Sequence, residues 1–140
     1  MGVSGLFLVN AGSGAGPVLV RDGVGLARIA VPPGAGETTR HAAAELAATI
    51  KAMSGADLAI IDTARAPDGV AVRIGGQEGA PDEDAAFLAR HPEGFVIRVD
   101  DSGVEISGGS ERGALYGVYR FLETHLGCRW LDPRIDNIPV

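Results

Sequence analysis

The residues whose types and spacing come closest to a reactive arrangement lie together in Gly108-Gly-Ser-Glu-Arg-Gly-Ala-Leu-Tyr-Gly117. A serine between glycines suggests a nucleophile elbow, where Gly-x-Ser-x-Gly holds a hydroxyl on a sharp turn for attack on an acyl carbon. Here the last position is Arg112, which removes the glycine that permits tight packing, so Ser110 reads better as a helix cap. Gly108, Gly109 and Gly113 also follow a strand and open a helix, whose free N–H groups could hold an anion with Arg112 as the supporting cation. Against a dinucleotide, the middle glycine of the usual pattern is Ser110, and the preceding strand belongs to a hairpin. The other role open to Arg112 is a bond to backbone or to a carboxylate on a neighbouring domain.

Hydrolysis by paired carboxylates needs two acids facing each other across a bond, one protonated and one ionised. Asp82, Glu83 and Asp84 look like a helix start, Asp100 and Asp101 sit in a hairpin turn, and Asp57 and Asp62 flank a strand. Each has a structural role, and no catalytic residue is assigned. His41, His91 and His125 are too dispersed for a local metal motif, so no metal or cofactor site is proposed. Aromatic rings for binding an apolar ligand face are few: Tyr116, Tyr119 and the single Trp130. At helical spacing the tyrosines fit a core or an interface as well as a ligand site.

These residues are positioned by a short series of elements. Short β-branched runs at 18–20 and 27–31 flank the turn signal Arg21-Asp-Gly23, and Pro32-Pro33-Gly34 ends the second. From Glu37 to Ser54, apolar residues at Ala43, Leu46, Ile50 and Met53 predict a helix, with Thr38 as cap and Gly55 as stop. Strands are expected at 58–61 and 70–74, then a shorter helix from Asp82 to Ala89. Phe95, Ile97 and Val99 alternate with Val96 and Arg98 before the turn Asp100-Asp-Ser-Gly103, and Val104 and Ile106 alternate with Glu105 and Ser107. That is a hairpin with one face in the core. Ser110 then caps a second long helix with the stripe Leu115, Val118, Leu122 and Leu126, ended by Gly127.

The expected fold is α+β: a mostly antiparallel sheet with two long helices packed on one face. Alanines surround most of the first helix, and Gly113 and Gly117 lie four apart on the second. Each helical glycine costs about 1 kcal/mol relative to alanine, so the pair implies close backbone approach, either to the domain's own sheet or helix or to a further layer outside.

At 140 residues the chain fits one domain and is too short for a catalytic barrel of about 250 residues. A net charge of −6 with scattered basic residues excludes the nucleic-acid class, which needs clustered Lys and Arg. Cys128 is alone, so an internal disulfide is excluded and the compartment stays open. Residues 1–17 are mildly apolar, then small, without a positive leading region and too short to span a bilayer, and they read as a flexible arm.

Taken in order, several stretches carry a resemblance: Thr39-Arg-His-Ala-Ala-Ala-Glu-Leu-Ala47, Met53-Ser-Gly-Ala-Asp-Leu58, Val72-Arg-Ile-Gly75, Pro92-Glu-Gly-Phe-Val-Ile-Arg98, Gly108 to Gly117, and Gly127-Cys-Arg-Trp-Leu131. Together the chain resembles the small α/β domain that precedes the catalytic barrel in bacterial alpha-glucuronidases, beta-hexosaminidases and related glycoside hydrolases. The resemblance implies a hexosaminidase domain-2-like accessory domain over 18–133, with 134–140 starting a linker. Its helices would be sandwiched against a (β/α) barrel of the same polypeptide, which holds the family's catalytic carboxylates. Arg112, Gly113, Tyr116, Gly117, Tyr119 and Trp130 would then make interdomain or ligand contacts. The isolated domain would expose an apolar helical patch and could dimerise through it. The alternative is a stand-alone carbohydrate-binding module with a cleft around Tyr116, Tyr119 or Trp130. No nucleic acid or membrane partner is expected.

Overall fold

Strands and helices alternate along the chain in the computed structural model, which describes residues 6–10, 19–21, 24–63, 69–76, 81–100, 103–125, 129–132 and 135–137. The elements are β1 (Leu6–Asn10), β2 (Val20–Arg21), β3 (Val24–Gly25), β4 (Arg28–Val31), α1 (Glu37–Ser54), β5 (Ile60–Asp62), β6 (Ala71–Gly75), α2 (Asp82–Arg90), β7 (Phe95–Asp100), β8 (Gly103–Gly108), α3 (Glu111–His125), β9 (Arg129–Asp132) and β10 (Ile135–Asn137). Strand β1 lies within the stretch read as an arm and pairs with β7. The helix end at Leu126-Gly127 falls outside the described residues.

The class is α+β, but the sheet is not mostly antiparallel. Six strands run in the order β1-β7-β8-β6-β4-β5. Within it β4 is parallel to β5 and β6, β6 to β8, and β1 to β7, while only the β7–β8 hairpin is antiparallel. The reason lies in the connections. Helix α1 carries the chain from β4 back to the same end of the sheet, so β5 enters parallel to β4. Strand β6 then enters on the other side of β4 and later receives β8 as a parallel neighbour. The strand before the Gly108–Gly117 turn is thus half of a hairpin and also the parallel partner of β6.

One face of the sheet and two helices form the core. Ile29 and Val31 of β4, Val72 and Ile74 of β6, Ile97 of β7, and Val104 and Ile106 of β8 cluster with Ala43, Leu46 and Ile50 of α1 and Val118 and Leu122 of α3. Helices α1 and α3, 18 and 15 residues long, also pack on each other. Burying a Leu, Ile or Val side chain contributes about 1.5–3 kcal/mol, so this layer dominates the stability of the fold.

The helix ends differ from one another. Gly55 ends α1 with φ 80°, its N–H donating to the Lys51 carbonyl at 2.8 Å. The start of α1 is not capped by Thr38: the N-cap is Gly36, which has no side chain to offer. A remote group takes that role, since the Thr39 N–H donates to Glu111 Oε1 of α3 at 3.0 Å. Ser110 does cap α3, accepting from the Gly113 N–H at 3.3 Å.

Candidate functional site

The Gly108–Gly117 turn closes on the protein itself. The Ser110 hydroxyl donates to the Pro92 carbonyl at 2.6 Å, the Gly109 N–H to the Gly94 carbonyl at 3.0 Å, and the Ala114 N–H to the Ser110 carbonyl at 3.0 Å. Arg112 pairs with Glu93 of the preceding turn, Nη1 to Oε2 at 3.1 Å, with both side chains largely exposed. The partner of Arg112 is thus a carboxylate inside this chain, which neither role read from the sequence names.

Gly113 and Gly117 are explained by the domain's own sheet. A side chain at Gly113 would strike the backbone carbonyls of Gly94 and Pro92, and one at Gly117 would strike Ile106 and the Phe95 ring. These two positions let α3 lie against the entry of β7 and the middle of β8. Tyr116 points outward, 38% exposed, while Tyr119 is half-buried. Burial raises the Tyr119 phenol above its ordinary value, with a smaller push from the Glu45 carboxylate of α1. Trp130 falls in β9, and its side chain lies outside the described residues.

The outer surface of the helix layer mixes small, basic and aromatic side chains. His41, Ala44, Ala48 and Ala52 form an exposed stripe on α1, and Arg112, Tyr116 and Arg120 one on α3, with Leu115 and Tyr119 half-buried beside them.

The opposite face of the sheet holds the residues that reading the sequence missed. Ala30, Arg73, Glu105 and Arg98 occupy register positions in one row across β4, β6, β8 and β7. At one end α2 covers the row: Asp84, 3% exposed, takes both Nε and Nη2 of Arg98 on its two oxygens, the second contact at 2.9 Å. That bond raises the Arg98 guanidinium above its ordinary value, opposed by burial and helped by the charges of Asp84, Glu83 and Glu105. Nearer the other end the row is open, and Arg73 Nη1 meets Glu105 Oε2 at 2.9 Å with both side chains partly exposed.

A depression of about 300 Å³ opens over that part, lined among others by Pro32, Pro33, Arg73, Gly76, Glu105 and Ser107. Its walls come from four parallel strands or the turns after them, so no local motif announces it. The available sign is weak: charged residues at alternate positions of otherwise apolar strands.

Of the other acids named from the sequence, Asp101 and the Asp100 side chain lie outside the described residues, and Asp62 and Asp57 have ordinary partners. Asp62 holds Arg40 through two hydrogen bonds of 2.9 and 3.1 Å, and Asp57 holds Lys51 at 3.0 Å. Among the described residues no group of three or more His, Cys, Asp or Glu could hold a metal, and no helix is long and apolar enough to cross a membrane.

A mixed sheet with a helical layer on one face and a single short helix on the other defines this chain as an α+β domain of modest size. Residues 25–121 match the model of the glycosyl hydrolase family 67 N-terminus, and the chain belongs to that family. No curated protein matches it.

Proposed function

We propose that this chain is the non-catalytic N-terminal domain of an alpha-glucuronidase-like glycoside hydrolase. The catalytic (β/α) barrel would lie in another part of the same polypeptide and would dock on the outer surface of α1 and α3. Family membership supports the enzyme context. The observation that carries the docking reading is the exposed small residues Ala44, Ala48 and Ala52 on α1 together with the exposed Tyr116 on α3, because small side chains allow close approach and tyrosines are enriched at interfaces. The hexosaminidase-like part of the resemblance belongs to the same proposal, since it concerns how such a helix layer is covered.

The reading assigns no turnover to this chain; among the described residues Asp57, Asp62, Asp84, Glu93 and Glu105 are each held by an Arg or Lys side chain. An antibody to the domain, used on the source organism with peptide mapping of the captured product, tests it. A product several times larger that contains barrel-like sequence is expected; a product of this chain's own mass overturns it.

A further inference from the structure

We propose that the depression on the helix-free part of the sheet is a binding site for a neutral, polyhydroxylated ring of single-sugar size. The first support is topology. Strands β8, β6, β4 and β5 are neighbours and mutually parallel, so their carboxyl ends point the same way. After β4 the chain turns to α1 on one face, and after β6 it leaves toward α2, whose Asp84 reaches Arg98 on the other. Adjacent strands whose connections depart to opposite faces leave a crevice between them, where ligands bind in open α/β sheets. The turns at Pro32-Pro33 and Gly75-Gly76 form the rim of this depression.

The second support is an unsatisfied group. Ser107 is 7% exposed and lines the depression, yet its hydroxyl has no hydrogen-bond partner among the described residues. Buried hydroxyls are ordinarily paired, so one that lines a cavity calls for a ligand or water there.

The lining chemistry selects the ligand class. Arg73 and Glu105 form an ion pair, which presents donors and acceptors side by side with no net charge. A free anion would meet a guanidinium already neutralised, and an apolar ligand would leave the pair and Ser107 unmatched. Vicinal hydroxyls, each able to donate and accept, fit this floor, while the rings of Pro32 and Pro33 offer an apolar wall to a C–H face. A volume at the low end for small-molecule pockets suits one ring. The site is on the opposite face from the docking surface proposed above and does not depend on it.

The test is amide NMR of the chain titrated with D-glucose, with D-glucuronate and inorganic phosphate as anionic probes. Saturable shifts are expected at Gly75, Gly76, Glu105 and Ser107, with a Kd on the order of 1–10 mM for glucose and no tighter binding of either anion. Ser107→Val should weaken glucose about tenfold, the worth of one hydrogen bond. Gly76→Trp should abolish binding by filling the depression from a position where a Cβ has room, 3.8 Å from the Gly108 carbonyl oxygen. Lys51→Ala, on α1 across the sheet, should bind as the parent chain does. If Ser107→Val does not fold, judged by loss of dispersed amides, Gly76→Trp decides. Absence of saturable shifts at these amides, shifts centred on Tyr116 and Tyr119, a preference for an anionic probe, or binding that survives Gly76→Trp would each overturn the proposal.

Discussion

Arg98 and Arg73 stand in the same cross-strand row, two strands apart, each paired with a carboxylate, but α2 covers only the first. Arg98 is joined by an acid from that helix, and Asp84 is sealed at 3% exposure. Arg73 is joined by its cross-strand neighbour Glu105, and both remain partly open to the depression. The same chemistry therefore does two things. The first pair fixes α2 to the sheet, because Asp84 alone would be a buried uncompensated carboxylate, although Arg98 keeps about 26% of its side chain exposed. An open pair contributes little to stability and is free to exchange its solvent for a ligand.

The sharpest way to break the contrast is Asp84→Ala. It should destabilise the chain by about 1.5–3 kcal/mol in urea titrations, since it removes the buried acceptor of both Arg98 hydrogen bonds. Loss of under about 1 kcal/mol would mean that the pair is as open as Arg73–Glu105. Next comes the opposite side of the sheet, where contact is steric. Gly113→Ala should cost about 1–3 kcal/mol, even though alanine favours helix, because its Cβ meets backbone carbonyls that cannot move independently. A gain in stability would show that α3 has room to shift.

The two helix starts sharpen the comparison further. Glu111→Ala removes the acceptor for the Thr39 N–H and should cost about 1 kcal/mol, as should Ser110→Ala at the start of α3. The two should differ in kind. Amide exchange should speed up at the first turn of α1 for the former and at the first turn of α3 for the latter. Exchange changing at the same helix in both variants would refute separate capping. Smaller again is Glu105→Gln, expected within about 1 kcal/mol of the parent, because its partner Arg73 can still reach water.

These differences follow how far each feature could be read along the chain. Helix α1 was legible at its C-terminal end because Gly55 acts through its own backbone, and the β7–β8 hairpin because alternation and the Asp100–Gly103 turn are local. The start of α1 was not, since its cap comes from Glu111, 72 positions from Thr39. Strand direction was misread for a similar reason. Alternation identifies a strand but not its partner, although the unbroken apolar run Ile29-Ala30-Val31, buried throughout, is more usual in a parallel strand than in an alternating antiparallel one. Asp84 looked like one more acid in a first turn, and only the packing of α2 on β7 shows that it is buried against Arg98. The depression was invisible because Ser107, Arg73 and Pro32 meet through the register of separate strands.

The last pair, Arg40 with Asp62, sets the lower limit of the comparison. It has better geometry than Arg73–Glu105, with two hydrogen bonds between guanidinium and carboxylate, yet both side chains are exposed. The hydrogen bond from Arg40 holds the Asp62 carboxyl below its ordinary value of 3.8, opposed by desolvation and helped to a lesser degree by the Arg40 charge. A depressed folded value means that the ionised form is favoured by folding. Any stabilisation is therefore present above the ordinary carboxyl range and disappears as pH falls through the folded value. Asp62→Asn should accordingly differ little from the parent at neutral pH and converge with it in acid, with the neutral-pH difference shrinking as salt is added. A difference that resisted salt would place Asp62 with the buried Asp84 and show that geometry outweighs burial in this sheet.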